Sequence, residues 1–263
     1  MVDFLMIKFV KNTQGHWSWF FISLPISIYI LFRHNISKIF STAGPQVAHL
    51  LSSILAYLFS IKLICEFQDP HTGDFILNPR SKRIAYWLDK FYKKIASKII
   101  FVTKKAALDS KKISSKKYQN KIKSIYPGSW KFIKNRENSR FNENKNIEFI
   151  HLGTLYSSRN LDNLFIALDK FKKNNIKNKK VQSIKVINCG EIYLNNKKSY
   201  LKRKDFKLIK GKSRIEGLKR ASKSSILLLV QHNDWRSEGT IPYKFYDYLN
   251  LRMPILAITK SKE

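Results

Sequence analysis

Three polar clusters stand at the ends of apolar runs and carry residue types that chemistry needs. The first follows Lys62–Phe67 and holds Glu66, Asp69, His71 and Asp74. A carboxylate and an imidazole in one loop suit general acid–base work, which singles out Asp69 and His71; loop capping by Asp69 is the plainer reading. The HExxH and two-metal spacings are missing, and no metal is expected. The second cluster runs from His151 to Asn160. Gly153 sits where a strand ends and permits close backbone approach, and small polar residues then open a helix whose amides suit a phosphate, with Arg159 able to add a charge-assisted bond. It is neither a Walker loop nor a GxGxxG loop, which argues against an ATPase or a dinucleotide dehydrogenase.

The third cluster, Gln231 to Tyr248, follows the apolar run ILLLV. Gly239-Thr240 with Pro242 marks a helix start, and Lys244 and Asp247, three apart, share a face of that helix. A surface ion pair between those two would account for their spacing and leave the dense loop ahead of them unexplained. Glu238 before the helix and Asp247 within it can bracket a polar ligand such as a sugar and a ribose.

These clusters need strands to deliver them. Strands are expected at Lys38–Ser41, Lys62–Phe67, Lys98–Thr103 and Ile122–Tyr126, with helices at Gln46–Phe59 and 81–96 between them. A polar stretch, Ile133–Asn146, reads as a linker. A second series follows: strands Ile147–Leu152, Gln182–Cys189, Phe206–Ile209, Ser225–Val230 and Pro254–Ile258, with helices Asn160–Phe171, Arg214–Ala221 and Ile241–Leu251. Strands alternating with helices mark parallel α/β units. The fold class expected is α/β with two Rossmann-like domains, residues 1–130 and 147–263, joined by 131–146. Both domains read as incomplete, because the chain opens without a strand that should lead the first series and stops soon after a strand that should feed another helix.

The 263 residues carry 50 Lys and Arg against 18 Asp and Glu, a net charge of +32. Residues 1–79 contribute +1, residues 80–145 +16 and residues 146–263 +15. Such a field favours phosphate-bearing partners, whether nucleic acid, anionic lipid or nucleotides, without choosing among them. Cys65 and Cys189 lie far apart in apolar runs and read as buried thiols, not a disulfide framework. The uncharged runs Trp17–Phe32 and Pro45–Ile61 fall short of a usual membrane span and read as buried helices. The lysines at 111, 112, 116, 117, 121 and 123 form a patch suited to an anionic leaflet.

Four places in the chain resemble the retaining nucleotide-sugar glycosyltransferases of the GT-B type, specifically glycosyltransferase family 4, whose bacterial members build cell-surface polysaccharides such as capsule and lipopolysaccharide. They are Ser41-Thr42-Ala43-Gly44-Pro45 with His49; Glu66-Phe67-Gln68-Asp69-Pro70; the stretch 149–168 with Gly153 and Arg159; and Ser237 to Leu249 followed by Pro254-Ile255-Leu256-Ala257. The resemblance implies a donor nucleotide-sugar against the second domain and a saccharide or lipid-linked acceptor against the first. It puts Glu238 near the donor sugar, Asp247 on the ribose, Arg159 with the preceding Gly153 at the diphosphate, and Asp69 in a loop reaching the cleft. Gly239 and Thr240 belong to the same donor signature, and Lys244 joins Arg159 in supplying positive charge. The chain departs from the family where Asp247 replaces the usual Glu, where Thr154 stands for a frequent Arg, and in lacking the glycine-rich first loop and the returning C-terminal helix. No cofactor beyond the donor substrate is implied. The expected location is cytoplasmic, on the inner face of the membrane.

Three other readings stand beside glycosyl transfer. A phosphorylase or epimerase shares the build, and an inactive truncated relative shares the fold. A nucleic-acid-binding protein is suggested by charge alone and lacks a recognition motif, so no nucleic-acid partner is expected.

Overall fold

The computed structural model describes Asp3 and residues 17–43, 46–68, 79–129, 146–174, 183–211, 213–234 and 237–260. The chain divides into two compact units, one of residues 1–126 with 238–240, the other of residues 127–237 with 241–263.

In the first unit, strands β1 (Lys38–Ala43), β2 (Lys62–Phe67), β3 (Lys98–Phe101) and β4 (Ile122–Ser124) form a parallel sheet in sequence order. Helices α1 (Trp17–Arg33), α2 (Val47–Leu58), α3 (Pro79–Ile95), α4 (Lys104–Lys112) and the short α5 (Lys116–Gln119) flank it. Period-two burial along β2 puts Leu63, Cys65 and Phe67 into a core with Ile99, Phe101 and Ile122, closed by Leu88 and Tyr92 of α3 and Ala106 and Ala107 of α4. Cys65 and Cys189 are both buried free thiols.

The buried ionisable side chains His49, Asp89 and Lys93 of this unit are paired. The fully buried His49 ring meets Ser41 Oγ at 2.7 Å through Nδ1 and the Glu66 carbonyl at 3.1 Å through Nε2, tying α2 to β1 and β2. Lys93 donates to Asp89 at 2.5 Å, both buried on α3. Lys121 Nζ donates to the carbonyls of Lys93 and Ala96 at 3.3 and 2.9 Å and so closes the C-terminal end of α3.

One sequence expectation is corrected here. Trp17–Phe32 does form a helix, but none of its residues is buried. Phe21, Ile22, Ile26, Tyr29 and Phe32 are all exposed. Among the described residues, no helix is long and apolar enough to cross a membrane.

The second unit is built on a five-stranded parallel sheet of β5 (Asn146–Leu152), β7 (Ser183–Cys189), β9 (Phe206–Ile209), β10 (Ile226–Val230) and β11 (Ile255–Ile258), in the order β11-β10-β5-β7-β9. Two-residue strands β6 (Leu155–Tyr156) and β8 (Ile192–Tyr193) pair beside it. Its helices are α6 (Asp162–Asn174), the short α7 (Lys197–Leu201), α8 (Arg214–Ala221) and α9 (Tyr243–Leu251). Alternate side chains of each strand enter opposite cores. Phe149, Val186, Leu228 and Val230 meet Leu164, Phe165 and Leu168 of α6. Ile150, Ile187, Leu227 and Leu229 meet Leu218 of α8 and Tyr248 and Leu251 of α9.

Candidate functional site

Strand order locates the site in the second unit. The chain steps from β5 to β7 and β9 on one side, then returns to β10 and β11 on the other. Connections leaving neighbouring strands β5 and β10 thus diverge, and in open parallel sheets such a switch point opens a crevice at the carboxyl ends of the strands.

Two glycines shape that edge. Gly153 after β5 has φ +125° and Gly190 after β7 has φ +146°, backbone that side chains rarely adopt. Gly153 N–H donates to the Cys189 carbonyl at 2.8 Å, and Gly190 N–H to the Ile209 carbonyl at 2.9 Å. A Cβ on Gly190 would stand 2.4 Å from the Gly153 carbonyl oxygen, and one on Gly153 would stand 2.8 Å from Lys244 Nζ. The Gly190 turn is therefore packed against backbone too closely for a methyl group, whereas at Gly153 the end of the Lys244 side chain occupies the place.

Lys244, in the first turn of α9, reaches back across the switch point to His151 on β5, with Nζ 2.9 Å from Nε2. His151 is fully buried, and its Nδ1 lies 2.7 Å from Oδ1 of Asn188, its register partner on β7. Burial, reinforced by the Lys244 charge, pulls the His151 imidazole down to about 3, so the ring is neutral at physiological pH. Burial and then the Arg159 charge lower the Lys244 ammonium to about 8. Arg159 lies over the Tyr156 ring at 5.1 Å, and its Nε is buried without a hydrogen-bond partner among the described residues. Neither Lys244 nor Arg159 forms an ion pair with a carboxylate among the described residues. Two cations, with the Arg159 charge felt at Lys244, beside a glycine turn that permits close backbone approach, form an arrangement suited to an anion.

Lys244 and Asp247 share a helix but turn to different partners, so the surface ion pair between them is absent. Asp247 is buried and accepts from Arg214 Nη2 at 2.5 Å and Nε at 3.1 Å, and from Ser129 Oγ at 2.5 Å. Beside it, the buried Tyr248 hydroxyl accepts from Leu152 N–H at 3.0 Å and donates to the Leu228 carbonyl at 3.2 Å, fixing α9 against β5 and β10. Ser158 Oγ donates to Asp234 at 2.6 Å and lies 2.9 Å from His232 Nδ1, binding the turn before α6 to the loop after β10.

The helix after the second cluster begins at Asp162, two residues later than expected, and the amides of Leu161 and Asp162 at its entrance are already engaged. Asn160 Oδ1 accepts from Asp162 N–H at 3.1 Å, and the Tyr200 hydroxyl accepts from Leu161 N–H at 3.0 Å. The Leu161 and Asp162 amides are therefore not the ones open to a phosphate. At α9, by contrast, the N-cap Pro242 makes no side-chain cap bond, and no acidic residue stands in the first turn.

Gly153, Arg159 and Lys244 are thus brought together, with Asp247 one turn further along α9. Glu238, Gly239 and Thr240 group with the first unit, where the Gly239 carbonyl accepts from Thr103 Oγ1 at 2.7 Å. Glu238 is exposed. Asp69 and His71 lie outside the described residues. The sequence reading gave no role to Asn188, Gly190 or Arg214, and quoted His151 only as the start of a loop. The signal for two of them was a polar residue in each of two apolar strands, NIEFIHL and KVINC, which parallel pairing sets side by side.

No protein-family model matches the chain, and no curated protein matches it in sequence. Solved structures do resemble it in fold. HepE of Anabaena, in complex with UDP, is 14% identical with a TM-score of 0.63, over 88% of this chain and 62% of that one. The trehalose 6-phosphate synthase of Burkholderia multivorans is 10% identical with a TM-score of 0.60, over 94% of this chain and 62% of that one. A Listeria monocytogenes protein described as a UDP-N-acetylglucosamine 2-epimerase is 10% identical with a TM-score of 0.53, over 96% and 64%. The chain therefore spans less than two thirds of the length of each. At these identities the likeness is one of fold: an α/β architecture of two parallel sheets flanked by helices, of the GT-B kind.

Proposed function

We propose that the second unit binds a nucleoside-diphosphate sugar at the carboxyl edge of its sheet and that the chain is a glycosyltransferase. The observation carrying this reading is Lys244 beside Gly153 within the field of Arg159, two cations that form no ion pair with a carboxylate among the described residues, at the β5/β10 switch point. Similar folds bound to UDP support the choice of a nucleotide.

In the proposed reaction the diphosphate is the leaving group. Fixed cations stabilise charge as it develops on that group, and they act most strongly where water is excluded. Asp247, gripped by Arg214, offers a carboxylate oxygen to ribose hydroxyls. Asp69 and His71 serve as acid–base residues toward a saccharide or lipid-linked acceptor taken by the first unit. The product is a cell-surface polysaccharide precursor made at the inner face of an anionic membrane.

Titration calorimetry with UDP, GDP, dTDP and their sugars tests the donor site. A nucleotide that binds the parent chain should bind Lys244→Ala and Arg159→Ala about 10- to 100-fold more weakly, as expected for losing a charged hydrogen bond. No heat with any nucleotide in a folded chain overturns the reading. A radiolabelled-sugar assay then separates transfer from epimerisation, since an epimerase changes the donor sugar with no acceptor present.

A further inference from the structure

The hydrogen bonds around His151 have one consistent direction. Asn188 Nδ2 donates to the Gly190 carbonyl at 2.9 Å, so its Oδ1 is the atom facing His151 Nδ1. Turning the amide over would set two oxygens against each other at Gly190. Nδ1 must therefore carry the ring proton, and Nε2 is left as an acceptor. Lys244 Nζ sits on that acceptor at 2.9 Å and fills the place that a side chain at position 153 would need. Both His151 and Asn188 are fully buried, so water does not compete for these bonds.

We propose that Asn188 and His151 are positioning residues: Asn188 fixes the tautomer of His151, and the ring nitrogen so presented holds the Lys244 ammonium at the Gly153 turn, where it receives a phosphate oxygen. This rests on the reading that Lys244 and Arg159 meet a diphosphate. The opposite tautomer would point an N–H at the ammonium, and two donors cannot share a bond.

A proton linkage follows from the arrangement. The groups acting on Lys244 are the neutral His151 from β5 and the Arg159 cation from the turn after β6; on α9 itself, Asp247 is engaged by Arg214 and Ser129. With its proton leaving at about 8 in the free protein, Lys244 is an ammonium below that pH and loses charge above it. A bound phosphate raises that value, so binding takes up a proton near pH 8 to 9 and weakens as pH rises.

Nitrogen NMR of the His151 ring in the free 263-residue chain, with the signal assigned by its loss in His151→Leu, tests the tautomer without any ligand. A proton on Nδ1 and a bare Nε2 from pH 5 to 9 is expected. A proton on Nε2, or titration near pH 6.5, overturns the proposal even if nucleotides bind. Calorimetry with UDP tests the linkage: affinity should fall about tenfold between pH 7 and 9. Lys244→Arg keeps its charge across that range and should show no such fall. Asn188→Leu should bind UDP at least about tenfold more weakly, with the pH midpoint moved down, because a released ring can turn a donor toward the ammonium. A folded Asn188→Leu chain with the parent's affinity and midpoint overturns the role of Asn188. If UDP fails to bind the parent while the ring shows the expected tautomer, the diphosphate reading fails and the positioning geometry stands.

Discussion

Gly190 is the residue whose replacement should be felt most through backbone alone. Its φ of +146° is outside the range side chains favour, and the nearest obstacle to a Cβ is the Gly153 carbonyl, which cannot rotate aside. Gly190→Ala should therefore destabilise the second unit by about 1–3 kcal/mol, the usual cost of a strained backbone position, and a lower urea midpoint would show it. Gly153→Ala differs in kind. Its obstacle is the mobile end of a lysine, so part of the strain can be relieved by displacing Lys244 Nζ from His151. This variant should lose nucleotide affinity by about tenfold or more even where stability falls only modestly, an outcome calorimetry on the folded variant would read. An unchanged affinity would mean that Lys244 Nζ need not stand where the structure puts it.

At the scale of elements, most strands and helices were legible because their apolar residues repeat with the right period. Lys62–Phe67 alternates, ILLLV is buried along most of its length, and Ser213 with Glu216 closes a capping box at the start of α8. Less legible was what each polar residue inside an element would meet. For Lys244 and Asp247 at i,i+3 the plain alternative to a donor-site role is a surface ion pair with each other, yet β5 offers the lysine a ring nitrogen and α8 offers the aspartate a guanidinium. Those partners come from strand order, which spacing along the chain does not encode. His49 and His151 show the same thing, each read at the edge of a motif and each found wholly buried. Burial holds His49 down to about 4 and His151 to about 3, against 6.5 when exposed. The unfolded chain takes up protons below about pH 6.5 that the folded rings refuse, so both units lose stability as pH falls from 6.5 toward 4. The slope is about 1.4 kcal/mol per pH unit for each ring. Urea unfolding at pH 7, 6 and 5 should show falling midpoints, and His151→Leu should flatten the response of the second unit; equal midpoints across the range would contradict the assignment.

Over the whole molecule, charge is the dominant feature, and its distribution bears on the proposed membrane partner. Nearly all of the +32 lies beyond residue 79. Within the expected patch, Lys112, Lys116, Lys117 and Lys123 are exposed, whereas Lys121 is committed to the α3 carbonyls and adds less to an outward field. Four exposed lysines near an anionic leaflet contribute about 1 kcal/mol each, enough for reversible attachment. The exposed apolar side chains of α1 offer a second means of attachment, since burying Phe21, Ile22 and Phe32 among acyl chains would not weaken with salt. Salt separates the two, because screening shortens from about 10 Å at 0.1 M to about 3 Å at 1 M. If charge carries the attachment, the chain should float with vesicles containing phosphatidylglycerol at 0.1 M salt, leave them at 1 M, and ignore vesicles of phosphatidylcholine alone. Retention on both vesicle types at 1 M would transfer the role to α1, and replacing Phe21, Ile22 and Phe32 with serine should then release the protein while leaving the nucleotide affinity of the second unit unchanged.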